Sequence, residues 1–278
     1  MSDTLPGVSR TYVVSGAASG IGAATASMLR DQGHRVLTVD LRDADVVADL
    51  ATGAGRAAAV AGVQARTDVV HGVVPAAGIG GFTGVDPALV VSVNYFGAVA
   101  LVEGLRPQLA AAGDASVVLL ASNSITGQPG WNGAVAAACL SGDEEGARTL
   151  AAQTEAVQVY PATKAALAWW ARREGVTPPW IGAGIRLNSV APGKVATPMT
   201  EQLAADPVFG PLSEAYPTAI GRDGRAEEIA APICFLLSGA ASLVVGSVLY
   251  VDGGTDAILH PIAPEGWEVA LPPAPEQL

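Results

Sequence analysis

Lysine is nearly absent from this chain. Lys164 and Lys194 are the only two among 278 residues. With thirteen arginines they make 15 basic residues against 26 acidic ones, so the net charge is −11. No basic block exists that could neutralise a nucleic-acid backbone. We therefore expect no nucleic-acid partner, and an anionic ligand would need backbone N–H groups and a helix N-terminus.

Cysteine and histidine are scarce as well. Cys139 and Cys234 stand far apart and the three histidines are scattered singly, so the sequence has neither a metal-ligand spacing nor a disulfide framework. We predict no metal site. The stretch 229–251 lacks charge, but it contains Pro232 and several Gly and Ser residues, which favours helix, turn and strand over a membrane span. We predict a cytoplasmic protein without a membrane partner.

Small and apolar residues are abundant, and their pattern alternates between strand and helix. Half of the residues are hydrophobic and 33 are glycine, which suits tightly packed α/β layers. The predicted strands are 12–15, 35–39, 69–74, 116–121, 185–190 and 247–251, and the predicted helices are 21–30, 86–109, 160–173 and 226–237. This alternation predicts a doubly wound parallel sheet with helices on both faces, in one domain over residues 1–278. An Ala/Gly-rich insertion at about 125–159 and a proline-rich tail from about Pro261 are added to it.

A glycine-rich turn follows the first predicted strand. Residues 15–22 have the sequence SGAASGIG, which places Gly16, Gly20 and Gly22 between a strand and a helix. Glycine permits a sharp turn and a close approach of a pyrophosphate to the backbone, where the phosphates meet the positive end of the helix dipole. Taken alone, the segment could equally be a tight structural turn.

Asp40 ends the second predicted strand, 18 residues after Gly22. A carboxylate there can accept hydrogen bonds from the hydroxyls of an adenosine ribose. It would also repel the 2′-phosphate of NADP, by about 4 kcal/mol per charge pair at about 4 Å and an effective dielectric of about 20. We therefore predict NAD, although Arg42 could offset part of this repulsion and Asp40 could serve only the strand end.

Tyr160 and Lys164 are spaced as neighbours on one helical face. An ammonium held near a phenol stabilises the tyrosinate and brings a pKa of about 10 closer to working pH. The pair is thus a candidate general acid/base, with an exposed Tyr and Lys on a helix as the alternative.

Together, these motifs resemble the short-chain dehydrogenase/reductase family. The glycine turn, Asp40, Asn94, Ser122, Tyr160-x-x-x-Lys164 and Ala191-Pro192-Gly193 occur in the family's order over about residues 10–255. Within the family, the segment around Asn94, the acidic cluster 142–145 and the ending 251–257 are similar to bacterial 3α-hydroxysteroid dehydrogenase/carbonyl reductases.

This resemblance implies four catalytic roles. Tyr160 would pass a proton to or from the substrate oxygen, and Lys164 would hold the nicotinamide ribose and lower the pKa of Tyr160. Ser122 would polarise the substrate carbonyl, and Asn94 would hold a water that links Lys164 to solvent. Ser124 is the alternative to Ser122, because counting back from Gly127 favours it while counting along the strand favours Ser122.

The resemblance also implies a cofactor cleft and a cover. Asp49 and Leu50 match the loop that lies on the adenine, and Val195 and Thr197 match the positions that hold the carboxamide. Residues 198–216 would be a mobile cover over the substrate. The complete set of implied cofactor-binding residues is Ser15, Gly16, Ser19, Gly20, Ile21, Gly22, Asp40, Leu41, Asp49, Leu50, Ala77, Gly78, Asn94, Tyr160, Lys164, Pro192, Gly193, Val195 and Thr197.

Three departures from the family pattern stand out. Ser15 replaces the usual threonine, and residues 75–78 are PAAG where the family has Asn-Asn-Ala-Gly. Tyr160 follows Ser122 by 38 residues, far more than is usual in the family, so the 125–159 segment must fold out between them and alter a subunit interface or the pocket rim.

The function implied is an NAD-dependent oxidoreductase that interconverts a secondary alcohol and a ketone. Apolar residues at Trp131, Pro207, Val208, Phe209 and Tyr216 suggest an apolar, cyclic substrate such as a hydroxysteroid. The alternatives are a terpene or aryl alcohol as substrate, or an inactive NAD-binding scaffold. The family resemblance further implies a homodimer, or else a homotetramer, built on the late helix 226–237 and the last strand.

Overall fold

The computed structural model describes residues 9–262, which form one α/β unit around a seven-stranded sheet. The strands are β1 (Thr11–Ser15), β2 (Arg35–Asp40), β3 (Val46–Val47), β4 (Gly72–Pro75), β5 (Ala115–Leu120), β6 (Ile185–Pro192), β7 (Val195–Ala196), β8 (Gly224–Arg225) and β9 (Val248–Val251). The main sheet has the order β3-β2-β1-β4-β5-β6-β9, and every pair in it is parallel. The predicted fold class is confirmed.

Helices cover both faces of this sheet. They are α1 (Gly20–Asp31), α2 (Gly53–Gln64), α3 (Pro87–Val91), α4 (Ala98–Gly104), α5 (Arg106–Ala112), α6 (Ser124–Gly127), α7 (Gly133–Ser141), α8 (Glu144–Ala151), α9 (Ala156–Glu174), α10 (Pro198–Ala204), α11 (Gly210–Glu214), α12 (Ala226–Leu237) and α13 (Thr255–Leu259). A π-helical segment, Ser92–Gly97, joins α3 to α4, and 3-10 turns occupy Ile181–Ala183 and Gly239–Ala241.

The strand sequences explain why both faces are covered. In β5, Val117 and Leu119 join the core under α4, α7 and α9, whereas Val118 and Leu120 join the core under α1 and α12. Successive side chains of a strand point to opposite faces, so a strand that is apolar throughout must be buried on both. All six residues of β5 are buried accordingly.

The predicted helix 86–109 is wrong as a single element. The chain leaves helical geometry at Leu105 (φ −95°, ψ 2°), and α5 restarts at Arg106 with Pro107 in its first turn. Proline lacks the N–H that would continue the ladder and clashes with the carbonyl four residues earlier, so the break belongs at this point. The predicted strand 69–74 is shifted, because Thr67 Oγ1 accepts a hydrogen bond from the Val69 N–H and holds that part in a turn.

The sequence analysis missed α2 and the short edge strand β3, and gave no structure to residues 125–159. That segment holds α6, α7, α8 and the start of α9, with α7 packed on α9 and α8 packed on α3. Its description as an insertion stays a prediction. The proline-rich tail lies, apart from Pro261 and Ile262, outside the described residues.

Candidate active site

A cleft of about 540 Å³ opens at the carboxyl ends of the parallel strands. It lies where β1 and β4 are neighbours and the strand order reverses, which is where open α/β sheets bind ligands. Of the predicted site residues, those that line it are Gly16, Ser19, Gly20, Ile21, Gly22, Asp40, Leu41, Asp49, Leu50, Ala77, Gly78, Ser122, Tyr160, Lys164, Pro192, Gly193, Val195 and Thr197.

The glycine turn brings backbone from two strands into contact. Gly16 has φ +65°, and a Cβ there would lie 2.6 Å from the Ala77 backbone N, so no side chain fits. Gly20 also has a positive φ, +56°, and directly begins α1. The turn therefore directs the N-terminal N–H groups of α1 into the cleft without side chains in the way, which suits a pyrophosphate.

Ser15, by contrast, does not line the cleft. It is fully buried at the end of β1, and its Oγ accepts a hydrogen bond from the Ala77 N–H at 3.2 Å. Its predicted contact with the cofactor stays a prediction. The hydroxyl ties the turn after β1 to the turn after β4 and so supports the cleft from beneath.

Asp40 lies at the rim of the cleft, at the end of β2. Its Oδ2 accepts a hydrogen bond from the Ala18 N–H at 3.0 Å and its Oδ1 accepts one from the Leu41 N–H at 2.7 Å. A carboxylate has about four acceptor sites, so these two bonds fix its orientation and leave capacity for ribose hydroxyls. Arg42 is exposed and is not part of the cleft lining.

At the other end of the cleft, Tyr160, Ser122 and Lys164 meet. Tyr160 and Lys164 lie one turn apart on α9, with the Lys164 Nζ 5.6 Å from the centre of the Tyr160 ring. The side chain of Ser122, just after β5, hydrogen-bonds that of Tyr160. Lys164 donates from Nζ to the Leu120 carbonyl at 2.9 Å, which holds the ammonium against the end of β5.

Burial dominates the protonation of this group. It raises the pKa of Tyr160 above 10.0, with the Ser122 hydrogen bond acting in the opposite direction, and it lowers the pKa of Lys164 from 10.5 to about 8. The Ser122 hydrogen bond offsets only part of the rise that burial causes in the Tyr160 pKa, and the lowering of that pKa by Lys164 stays a prediction.

Ser122 and Ser124 have different surroundings. Ser122 lines the cleft, and its Oγ accepts a hydrogen bond from the Ser124 N–H at 3.1 Å. The Ser124 hydroxyl is buried without a hydrogen-bond partner and is not part of the cleft lining. Ser124 thus contributes its backbone to the site, and the strand count that favours Ser122 agrees with this geometry.

Asn94 lies beneath the cleft rather than in it. It is fully buried in the π-helical segment, and its amide both accepts from the Ile79 N–H at 2.8 Å and donates to the Ile79 carbonyl at 2.9 Å. A Cβ on Gly78 would lie 3.2 Å from Asn94 Oδ1 and 3.7 Å from Lys164 Nζ, so the three groups adjoin. π-Helical segments are frequent at functional sites. The predicted roles of Asn94, as a cofactor contact and as the holder of a water that links Lys164 to solvent, stay predictions.

The predicted cover, 198–216, consists of α10, α11 and the turn between them. Asp206 in that turn accepts two hydrogen bonds from Thr83, from its N–H at 2.8 Å and its Oγ1 at 3.0 Å. Tyr216 at the far end donates to Asn123 Oδ1 at 3.2 Å, beside Ser122. The cover is therefore attached at two points to the loops that carry the site.

Some lining residues were missed, and some predicted pocket residues lie elsewhere. The missed residues are mostly small or apolar neighbours of predicted ones and carry no signal of their own: Ala48, Ala51, Ala76, Ile79, Leu89, Val93, Leu120, Ala121, Pro198, Met199 and Thr200. None of the five residues suggested for an apolar pocket lines this cleft: Trp131 packs on Trp169, Val208 is exposed, and Tyr216 lies beside the site through its bond to Asn123.

Within residues 9–262, no group of three His, Cys, Asp or Glu side chains could hold a metal ion. One helical stretch in the same range, Pro87–Gly104, is long and apolar enough to cross a membrane, but 67% of it is buried inside the protein, as in a core helix.

Comparison with known proteins places the chain among oxidoreductases. The family model described as short chain dehydrogenase matches residues 10–139, and the model described as enoyl-(acyl carrier protein) reductase matches residues 147–256. The 3-alpha-hydroxysteroid dehydrogenase/carbonyl reductase of Comamonas testosteroni is 37% identical over 253 residues, which cover 90% of this chain and 97% of that protein. The cis-4-hydroxycyclohexanecarboxylate dehydrogenase of Sinomonas cyclohexanicum is 34% identical over 272 residues, covering 90% and 97%.

Among solved structures, the 3-alpha-hydroxysteroid dehydrogenase of Pseudomonas sp. B-0831 complexed with NADH superposes with a TM-score of 0.86. It is 41% identical, and the match covers 91% of this chain and 99% of that one.

Proposed function

The chain belongs to the short-chain dehydrogenase/reductase family, and we propose that it is an NAD(H)-dependent oxidoreductase that interconverts a secondary alcohol and a ketone. The observation that carries this proposal is the meeting of Tyr160, Lys164 and Ser122 at one end of a cleft whose other end holds the glycine turn and Asp40. A binding scaffold alone would not need that polar group.

The cleft residues fit a dinucleotide. The absence of a side chain at Gly16 and the open N-terminus of α1 suit the pyrophosphate, and Asp40 and Leu50 line the end that would take the adenosine. The nicotinamide, when bound, supplies the hydride chemistry. A related structure in complex with NADH supports the same assignment.

The side chains of the chain itself handle the proton and the developing charge. Tyr160 would give a proton to the ketone oxygen in reduction and take it from the alcohol in oxidation. Ser122 Oγ accepts a hydrogen bond from the Ser124 N–H, so the Ser122 O–H is free to point towards Tyr160. The same O–H would donate to the carbonyl oxygen of a bound substrate beside Tyr160. Lys164, mostly protonated at pH 7, would favour the tyrosinate while it exists.

We propose an apolar cyclic substrate, such as a hydroxysteroid. Two relatives that cover almost the whole chain are named for a 3α-hydroxysteroid and for cis-4-hydroxycyclohexanecarboxylate, and both substrates carry a ring hydroxyl. An aryl-substituted primary alcohol, which would give an aldehyde in place of a ketone, is the second candidate, because a coniferyl-alcohol dehydrogenase from Pseudomonas is 31% identical over 258 residues.

NAD is preferred over NADP in this proposal because of Asp40. Its carboxylate is held at the rim of the cleft by two backbone N–H groups and cannot swing away without breaking them. A 2′-phosphate there would face a like charge at about 4 Å, which costs on the order of 4 kcal/mol before screening. Arg42 is exposed and outside the cleft lining, so it would offset at most part of that repulsion.

The test is a spectrophotometric screen of steroid, cyclic and aromatic ketones with NADH and with NADPH. We expect turnover of at least one ring ketone, with kcat/KM for NADH at least about tenfold above that for NADPH. Tyr160→Phe should lower kcat by about 10²- to 10⁴-fold and leave NADH binding intact. NADH binding without turnover of any ketone would instead support the scaffold, and equal use of NADPH would contradict the role of Asp40.

A further inference from the structure

A buried cation lies directly beneath the end of the cleft assigned to adenosine. Arg56, in the first turns of α2, is only 8% exposed. Its guanidinium donates from Nε to the Leu50 carbonyl at 2.8 Å and from Nη2 to the Ala51 carbonyl at 3.2 Å. Leu50 and Ala51 both line the cleft. The position of this part of the cleft wall therefore depends on where Arg56 is held.

Arg56 is held by a carboxylate from a distant part of the chain. Glu144, at the start of α8, accepts two hydrogen bonds of 2.6 Å, one from each Nη of Arg56. The two residues are 88 positions apart, and Glu144 belongs to the 125–159 segment. A bidentate pair of this kind fixes the guanidinium in both position and orientation.

Arg56 and Glu144 also hydrogen-bond to Ser92, in the π-helical segment that carries Asn94. Ser92 donates from Oγ to Glu144 Oε1 at 3.0 Å, and its carbonyl accepts from Arg56 Nη2 at 3.1 Å. Arg148, one turn along α8, donates to the Ser92 hydroxyl. The hydrogen bonds thus join α8, the π-helical segment and the cleft wall through the two side chains of Arg56 and Glu144.

The charges indicate why Glu144 cannot be replaced by a neighbour. Glu144 is the carboxylate that pairs with Arg56 in the described part of the chain, and Arg148, the next charged side chain in the cluster, has the same sign as Arg56. A buried guanidinium without its counter-ion turns towards solvent or draws water in. Either movement would release the Leu50 and Ala51 carbonyls.

We propose that Glu144 is a positioning residue for the cofactor, which acts through Arg56 to set the cleft wall at the adenosine end. The inference rests on the proposed function, because it takes that end of the cleft to bind the adenosine half of NAD(H). Through Glu144, the 125–159 segment would contribute to cofactor binding although Glu144 itself does not line the cleft.

The experiment compares Glu144→Gln with Glu145→Gln. Both remove one negative charge from the first turn of α8, but Glu145 is exposed, whereas Glu144 makes the two bonds to Arg56. Binding of NADH, of ADP-ribose and of reduced nicotinamide mononucleotide is measured by calorimetric titration, without turnover. We expect Glu144→Gln to weaken NADH and ADP-ribose by about tenfold and to leave the mononucleotide unchanged, since the latter lacks the adenosine half. Glu145→Gln should bind all three like the wild type.

Each other outcome has a definite meaning. Equal weakening of all three ligands would show a general loss of structure and overturn the proposal, as would unchanged ADP-ribose binding. If the wild type itself binds neither NADH nor ADP-ribose, the proposed function fails together with this inference. If Glu144→Gln does not fold, Glu144→Asp keeps the charge but reaches only part of the guanidinium, and it should weaken ADP-ribose by a smaller factor with the mononucleotide again unchanged.

Discussion

At the scale of single residues, the two serines after β5 allow a sharp comparison. Ser122→Ala removes the hydroxyl that hydrogen-bonds Tyr160, and loss of such a donor costs roughly 10²-fold or more in kcat. Ser124→Ala keeps the N–H that holds Ser122 and removes a hydroxyl without a partner, so its kcat should stay within about threefold of the wild type. Steady-state kinetics on the best ketone measures both variants, and the reverse order would place Ser124 in the site.

The buried ammonium of Lys164 should lower the stability of the folded protein, although turnover requires it. Burial lowers its pKa from 10.5 to about 8, a cost of about 3 kcal/mol to the folded state when the lysine is protonated. Lys164→Met removes that cost but leaves the Leu120 carbonyl without its donor, which destabilises the variant by about 1 kcal/mol. At pH 7 we therefore expect the free energy of unfolding of the variant, measured by urea denaturation, to be about 2 kcal/mol higher than that of the wild type. Turnover should be lost.

The pH dependence of that difference provides the check. Between pH 8 and pH 10.5 the unfolded chain still binds the proton that folded Lys164 has released, so the unfolding free energy of the wild type rises with pH. The advantage of Lys164→Met should accordingly be largest below pH 8 and shrink at pH 9.5. An advantage that stays constant over this range would mean that desolvation of the ammonium is not its cause.

At the scale of structural elements, the attachment of the cover is the feature most open to test. Asp206→Ala removes both hydrogen bonds to Thr83 in the loop after β4, and also the two that Asp206 accepts from the Val208 and Phe209 N–H groups, so the turn between α10 and α11 is loosened. We expect cleavage within 198–216 by a broad-specificity protease to accelerate about tenfold, with a higher KM for the ketone and little change in Tm. Glu201→Ala, on the exposed face of α10, is the control and should behave like the wild type. Unchanged cleavage in both variants would rule out this attachment.

Helices and strands whose ends are marked by nearby residues could be predicted from the sequence. Elements that depend on contacts with distant parts of the chain could not. Helix α12 was predicted with its observed bounds, and β1, β2, β5 and β6 to within two residues at each end, because their apolar runs end at turn-forming residues. The break before α5 was also predictable from Pro107. The π-helical segment was not, because its geometry depends on the bonds between Asn94 and Ile79, which approach only when β4 and this helix pack together.

At the scale of the whole molecule, topology explains why most of the site could be predicted. Parallel strands bring their carboxyl ends to one edge, so motifs that follow β1, β2, β4, β5 and β6 must converge there. Spacing does not tell which side chains face the cleft, and Ser15 and Asn94 proved to lie beneath it. The pairing of Arg56 with Glu144 also had no signal, because it depends on how residues 125–159 fold back onto α3.

The last prediction concerns assembly. Strand β9 is an edge of the main sheet, and α12, the turn after it and β9 carry exposed apolar side chains at Phe235 (47%), Leu243 (96%) and Leu249 (37%). An edge strand and an apolar surface together favour pairing with a second copy through a two-fold axis. We expect light scattering at micromolar concentration to give a dimer.

The double variant Phe235→Arg with Leu249→Arg should then be a monomer, because two charges per subunit would be buried opposite their symmetry mates at the centre of that contact. Val47→Arg is the matched control: Val47 is 63% exposed on β3, at the opposite edge of the same sheet, so the change should leave the dimer intact. A double variant that remains a dimer would move the interface to another surface, and a dimer lost only in Val47→Arg would assign it to the β3 edge.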